Sequence, residues 1–268
     1  MKEFMDIKTR WNEVNALVRM NMEKMLFEKE HAKEGVIVEA MRYMLLSEGK
    51  MLRPFLVCIV NEMFGLSTDL VISGATAIEM IHTYTLIHDD LPAMDNDDYR
   101  RGKLSCHKKY GEAIAILAGD ALLTLAFQLL VDTNVEPQIK LKLIKDTTEL
   151  IGYKGIIAGQ VLDLLAKKQK LDADELKKMR ILKTSNLFMA SCRYSATINN
   201  ANAAELNALD NYAKSLGLAY QIKDDIEDGD ELQSNFMLND IVNESLNYLD
   251  IFGKKAKVLR DFTSYLFK

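Results

Sequence analysis

Turn-forming residues are scarce in this chain, and that scarcity most constrains what it can fold into. Only 3 prolines and 13 glycines occur among 268 residues, whereas a β-sandwich or barrel needs a turn signal about every 8–12 residues. Apolar residues instead recur three or four positions apart over long stretches, which is the period of an amphipathic helix. The sequence therefore predicts an all-α protein.

The helical patterns are separated by short breaks, with no repeat, linker or low-complexity segment among them. We therefore expect a single domain over 1–268. Asp69 is a candidate N-cap. The predicted helices cover 9–30, 36–47, 54–64, 69 to about 90, 112–131, 138–152, 155–169, 172–199 and 203–228. Residues 91–109 and 229–240 are predicted as polar loops, and two short helical patterns follow.

Composition excludes several classes of function. The formal net charge is -5, so no global basic surface exists to bind nucleic acid. The charged N-terminus and the lack of an apolar run of about 18 residues predict neither a signal peptide nor a membrane span. Cys58, Cys106 and Cys192 are odd in number and far apart, which indicates a reduced cytoplasmic compartment.

Two acidic clusters continue apolar helical stripes. Asp89 follows Ile78 and Ile81 at helical spacing, and Asp224 follows Leu216 in the same way. Both carboxylates would thus point inward at helix C-termini, where partial negative charge already disfavours them. A divalent cation would compensate, and an all-oxygen ligand set without His or Cys favours Mg²⁺.

Cations elsewhere in the chain complement these carboxylates. Lys50 and Arg53 lie on one side of a predicted turn, Arg100 and Arg101 follow the first acidic cluster, and Lys183 opens the last third. Carboxylate-bound Mg²⁺ facing Arg and Lys forms a diphosphate site. The sequence contains neither of the glycine-rich phosphate-binding motifs GxxxxGK(S/T) and GxGxxG, which disfavours nucleotide-type phosphoryl transfer. A metal-bound diphosphate without such a loop suggests that diphosphate is the leaving group.

Five ordered motifs carry a resemblance to a known family. Residues 79–127, which include IHDDLPAMDNDDYRRG, resemble the first aspartate-rich region of the bacterial trans-prenyltransferases, the polyprenyl diphosphate synthases. Further matches are GKMLRP (49–54), GQVLDL (159–164), KTSNLF (183–188) and YQIKDDIED (220–228). The resemblance implies an isoprenoid-synthase helical bundle around a central cavity, Mg²⁺, two diphosphate substrates and a homodimer.

Site residues follow from the resemblance position by position. It implies Mg²⁺ ligands at Asp89, Asp95 and Asp224, with Asp90, Asp225 and Asp228 in supporting roles. It assigns isopentenyl diphosphate to Lys50, Arg53, His82 and Arg101, and the allylic diphosphate to Arg100. It places Lys183, Thr184 and Gln221 near the leaving group, and Tyr84 as the residue that limits product length.

The leading hypothesis is a short-chain prenyltransferase that condenses isopentenyl diphosphate with dimethylallyl or geranyl diphosphate to farnesyl diphosphate. A geranylgeranyl diphosphate synthase is an alternative. A catalytically weak subunit of a heteromeric synthase is another, because residues 229–240 replace a longer family loop. The second acidic motif also departs from the family at Lys223, where a neutral residue is usual. A terpene cyclase is disfavoured, because it has no need of the Lys50, Arg53 and His82 set.

Overall fold

The computed structural model describes residues 6–26, 35–227, 229 and 235–268, and these residues are almost entirely helical. The prediction of an all-α chain is confirmed. The α-helices in the described residues are α1 (Ile7–Met25), α2 (Val36–Leu45), α3 (Leu52–Met63), α4 (Ile72–Asp89), α5 (Cys106–Tyr110), α6 (Glu112–Asp132), α7 (Pro137–Ile151), α8 (Ile156–Ala166), α9 (Ala173–Arg180), α10 (Asn186–Ile198), α11 (Ala203–Glu227), α12 (Asn235–Asn247) and α13 (Lys257–Leu266).

Most predicted helix ends agree with the structure to within a few residues, but three predictions are wrong. Asp69 is not an N-cap: it lies in a 3₁₀ turn, Thr68–Leu70, and α4 begins at Ile72. Residues 172–199 are not one helix, because a π-helical turn, Ile181–Ser185, stands between α9 and α10. Helix α12 begins at Asn235, inside the stretch expected to be a loop.

The predicted loop at 91–109 contains a small hairpin. Strands β1 (Tyr99–Arg100) and β2 (Lys103–Leu104) pair antiparallel, and only Arg101 and Gly102 connect them. Both connecting residues have positive φ, 52° and 75° respectively. This combination matches the type I′ turn that suits the twist of paired strands, although arginine seldom adopts it.

By its internal contacts the chain divides into two compact units. The first, here the α4 unit, comprises Trp11–Phe55 and Asp69–Asn134. The second, here the α11 unit, comprises Met1–Arg10, Leu56–Thr68 and Val135–Lys268. That the whole chain acts as one domain stays a prediction.

Each unit is organised around a long helix. In the α4 unit, α4 packs along α6 and is buried on nearly every side, including Ile78 and Ile81. In the α11 unit, α11 packs against α10, α12 and the π-helical turn. Tyr212 of α11 is fully buried, and its hydroxyl lies 2.9 Å from Thr263 Oγ1.

Helix α6 is the one described helix that is long and apolar enough to cross a membrane, judged by length and composition only. Of its most apolar window, 39% is buried inside the protein. Core helices satisfy the same criterion, so a single such helix is weak evidence. Asp120 also interrupts its apolar sequence.

Candidate active site

The turn before α3 presents the first predicted cations. The indole of Trp11 donates a 2.8 Å hydrogen bond to the Lys50 carbonyl oxygen, and the Asn15 amide adds a longer one of 3.3 Å. Met51 has a φ of 49°, so the backbone reverses direction sharply here. Lys50 is exposed and Arg53 is half-buried. Helix α1 thus fixes the turn that carries both cations.

The hairpin sends its two adjacent arginines to different partners. Arg100 donates from Nε to Asp90 Oδ1 at 2.8 Å and from Nη2 to Asp97 Oδ2 at 2.6 Å. Arg101 donates from Nη1 to Ser47 Oγ at 3.1 Å, and its Nη2 lies 3.7 Å from Glu79 Oε1. The left-handed backbone of Arg101 costs about 1–3 kcal/mol and persists only where surrounding contacts enforce it.

Asp90 is completely buried at the end of α4. Burial raises the pKa of this carboxyl, while the hydrogen bond and charge of Arg100 lower it in part. Its second oxygen, Oδ2, has no hydrogen-bond partner among the described residues. Asp90 therefore orients Arg100 with one oxygen and retains a second that could accept a further cation or proton donor.

The loop after α4 folds back, so that the backbones of two predicted metal ligands, Asp89 and Asp95, are hydrogen-bonded to each other. The Asp95 amide donates a 2.9 Å hydrogen bond to the Asp89 carbonyl oxygen. Asn96 has a φ of 56°, and its amide donates to the Leu91 carbonyl oxygen at 3.1 Å. Asp89 and Asp95 are both half-buried and carry carboxylate oxygens, the type of ligand that Mg²⁺ prefers. Within the described residues, however, no three acidic, His or Cys side chains converge as a complete metal site.

About two and three turns before Asp89 on α4 lie His82 and a residue that the sequence analysis missed, Glu79. Burial, followed by the charges of Arg53 and Arg101, holds the pKa of His82 well below 6.5, so its imidazole is neutral at pH 7. Glu79 is 1% exposed. Burial raises the pKa of its carboxyl, and Arg101 and Arg53 lower it in part. Its position three residues before His82 in the first motif was the available signal.

In the α11 unit, two glycines enclose the π-helical turn that carries Lys183 and Thr184. A Cβ on Gly217 of α11 would lie 2.6 Å from Ser185 Cα, and a Cβ on Gly159 of α8 would overlap the Lys183 backbone. The π turn therefore lies against bare backbone on two helices. Such turns recur at functional sites.

A hydrogen-bonded chain links the predicted catalytic residues of this unit. Thr184 Oγ1 donates to Gln221 Oε1 at 3.0 Å, and Gln221 Nε2 donates to Asp225 Oδ1 at 2.8 Å. Arg180 Nη2 donates to Asp225 Oδ2 at 2.6 Å. The structure thus brings Thr184, Gln221 and Asp225 together and adds Arg180, which lies outside every motif of the sequence analysis.

Lys183 pairs with a third residue missed by the sequence analysis, after Glu79 and Arg180. Its Nζ donates to Asp163 Oδ2 at 2.7 Å. Asp163 lies inside the GQVLDL motif, which was the available signal. Asp224 is half-buried near the end of α11, and Asp228 lies outside the described residues.

Tyr84, the predicted limit on product length, is 8% exposed on α4. Its ring meets His88 edge to face, with centroids 5.8 Å apart. His88 Nε2 lies 3.1 Å from the Ile116 carbonyl oxygen, and a Cβ on Gly119 of α6 would overlap the imidazole. Tyr84 therefore packs against His88, whose ring occupies the space that Gly119 leaves open on α6.

Comparison with known proteins relates this fold and these motifs to characterised ones. The crystal structure of a farnesyl/geranylfarnesyl diphosphate (FPP/GFPP) synthase from Zymomonas mobilis superimposes with a TM-score of 0.92 at 33% identity, over 98% of this chain and 99% of that one. A farnesyl diphosphate synthase of Micrococcus luteus is 42% identical over 86% of this chain and 80% of its own length. That of Escherichia coli is 46% identical over 72% of this chain and 66% of its own.

These similarities define an enzyme with the isoprenoid-synthase helical fold, and specifically a prenyltransferase. Residues 34–256 match the polyprenyl synthetase family, and the chain belongs to that family. The family resemblance inferred from the five motifs is confirmed.

Proposed function

We propose that this protein joins isopentenyl diphosphate head to tail with dimethylallyl or geranyl diphosphate and produces farnesyl diphosphate. The observation that carries the proposal is the identity of 42–46% to farnesyl diphosphate synthases from several bacteria. The geometry of the α4 unit supports it, because two neighbouring arginines with separate partners can each bind a different diphosphate. Paired Arg–phosphate hydrogen bonds provide such recognition.

The roles of individual residues follow from the motifs and the contacts. Lys50, Arg53, Arg101 and the neutral His82 bind isopentenyl diphosphate, and Arg100 binds the allylic diphosphate. The proposed Mg²⁺ ligands are Asp89 and Asp95 in the α4 unit and Asp224 in the α11 unit, with Asp90 and Asp228 in supporting roles. Bound Mg²⁺ would supply charge stabilisation of the departing diphosphate. Lys183, Thr184 and Gln221 act next to the leaving group.

The reaction breaks the bond between C1 and oxygen of the allylic diphosphate, and the electron pair leaves with pyrophosphate. The π electrons of isopentenyl diphosphate form the new carbon–carbon bond to C1. This bond leaves a positive charge on C3 of the isopentenyl unit. Loss of a proton from C2 then restores a double bond, and the released pyrophosphate accepts that proton. Cations placed where negative charge develops lower the barrier. Arg100 and Lys183 are such cations, and each is held by a carboxylate at hydrogen-bond distance.

The test is incubation of the purified chain with isopentenyl diphosphate and dimethylallyl diphosphate, with and without Mg²⁺. Products are dephosphorylated and sized by chromatography. A fifteen-carbon alcohol that depends on Mg²⁺ supports the proposal. A twenty-carbon product would instead support geranylgeranyl diphosphate synthesis. One relative, from Arabidopsis thaliana, is named a geranylgeranyl pyrophosphate synthase and is 42% identical over 72% of this chain. Absence of any elongation by the chain alone would contradict the proposal.

We further propose that the enzyme works as a cytoplasmic homodimer. The three cysteines support a reducing compartment, since all three are buried and unbridged. Burial also raises the pKa of the Cys58 and Cys106 thiols to about 12, which argues against nucleophilic roles. Sedimentation of the purified protein would test the dimer.

A further inference from the structure

We propose that Glu79 is a positioning residue that holds the Arg101 guanidinium in place for the diphosphate of isopentenyl diphosphate. This inference rests on the proposed function, because it takes Arg101 as part of the isopentenyl diphosphate site. It assigns a role to a carboxylate that lies among the arginines Arg19, Arg53 and Arg101, here called the cationic cluster.

The surroundings of Glu79 show that its carboxylate faces arginines. The side chain is 1% exposed, and its Oε1 lies 3.7 Å from Arg101 Nη2. Arg53 and Arg19 also lie close enough for their charges to lower the pKa of the carboxyl, against the effect of burial. A buried carboxylate is tolerated only with cations beside it, so Glu79 and these arginines constrain one another.

Arg101 needs such a constraint, because its backbone adopts a left-handed conformation that residues other than glycine disfavour. Its φ is 52°, in the left-handed region. Three contacts hold the side chain: Glu79, the hydroxyl of Ser47 at 3.1 Å, and the bare backbone of Gly49. A Cβ on Gly49 would lie 2.8 Å from Arg101 Cζ, so the guanidinium occupies space that only glycine leaves open.

Positioning and simple electrostatics predict opposite effects when Glu79 is neutralised. Removal of its negative charge makes the cluster more cationic, which by charge alone would bind an anion more tightly. Loss of the contact that orients Arg101 would bind the diphosphate more weakly, because a guanidinium must be aligned to donate paired hydrogen bonds. The sign of the change therefore separates the two roles.

The experiment compares Glu79→Gln with wild type in steady-state assays that vary each substrate separately. We expect the KM for isopentenyl diphosphate to rise about tenfold, the size expected for the loss of one charge-assisted contact. The KM for the allylic substrate should change less than about twofold. An isopentenyl KM that is unchanged or lower would overturn the inference.

Asp210→Asn provides the matched control. Asp210 accepts two hydrogen bonds from Arg193, at 3.1 and 2.6 Å, and no substrate role is assigned to either residue. This variant also removes a half-buried carboxylate that faces an arginine. We expect it to lower the melting temperature without a rise in either KM. A rise equal to that of Glu79→Gln would show a general structural effect and overturn the inference.

A second perturbation reaches the same guanidinium from the exposed turn. Gly49→Ala places a methyl group against Arg101 Cζ, and should also raise the isopentenyl KM even if Glu79→Gln does not fold. In an Arg101→Ala background, neither substitution should raise that KM further, since both act through Arg101. A further rise in that background, or an unchanged KM for Gly49→Ala, would overturn the inference. Absence of turnover by the wild type would instead refute the proposed function itself.

Discussion

Gly217→Ala tests whether the π-helical turn places Lys183 and Thr184 for catalysis. The added Cβ would lie 2.6 Å from Ser185 Cα and 2.8 Å from Ser185 Oγ. Carbon atoms pack comfortably at about 3.5–4.0 Å, so the turn and α11 must separate by about 1 Å. Ser185 is fully buried, so it cannot move outward freely. A displacement of that size at a reacting centre can cost about a hundredfold in rate.

We therefore expect kcat to fall about a hundredfold, with a loss of folding free energy of about 1–3 kcal/mol from overpacking. The assay is steady-state formation of the prenyl product, measured well below the melting temperature of the variant. The KM for isopentenyl diphosphate should stay within about threefold, because the residues assigned to it belong to the α4 unit and not to this turn.

Gly152→Ala serves as the control for overpacking alone. Its Cβ would lie 2.5 Å from the Thr148 carbonyl oxygen at the end of α7, and no atom of the π turn is among its close neighbours. It should be destabilised while kcat stays near that of wild type. A folded Gly217→Ala variant that keeps kcat within about threefold of wild type would refute the reasoning.

Three further predictions concern the α4 unit. Asp89→Ala should lower kcat about a hundredfold or more at saturating Mg²⁺, because it removes a proposed metal ligand. It should not lower the melting temperature, because it also removes a negative charge at a helix C-terminus. A near-normal rate would contradict the metal assignment. Because the pKa of His82 in the folded protein lies well below 6.5, the unfolded chain binds more protons and stability falls as the pH drops below about 6.5. His82→Gln should reduce that fall in urea unfolding between pH 7 and 5.5, and an unchanged slope would contradict it. Tyr84→Ala should shift the product from fifteen carbons toward twenty or more, and an active variant with an unchanged product distribution would show that Tyr84 does not limit chain length.

The helical fold could be predicted from the sequence because packing and local pattern agree. Helix α6 was predicted at 112–131 and spans Glu112–Asp132, and α11 was predicted at 203–228 and spans Ala203–Glu227. Runs of this length with few breaking residues leave little choice of conformation.

Features that depend on tertiary contacts could not be predicted. The residues of the π-helical turn follow an ordinary helical pattern, and the two glycines that lie against the turn, Gly159 and Gly217, belong to other helices. The hairpin was missed because Arg101 occupies a turn position that glycine or asparagine usually fills. Contacts with Ser47 and Glu79, far away in sequence, hold it there.

The predicted site was incomplete for a related reason. Motifs predict which residues meet the substrate, but they do not say which partner holds each of those residues, even where the partner lies inside a motif, as Asp163 does. Asp163 fixes Lys183, and Arg180 completes the hydrogen-bonded chain through Asp225. Only the folded chain shows which carboxylate faces which cation.

The most direct test of the central claim is the ratio of pyrophosphate released to isopentenyl units incorporated. The purified chain, Mg²⁺, geranyl diphosphate and radiolabelled isopentenyl diphosphate would be used, with both quantities followed in one reaction. Head-to-tail condensation predicts one pyrophosphate for each labelled unit, with the label in a fifteen-carbon product. Pyrophosphate released without incorporation of label, or no release at all, would contradict the account.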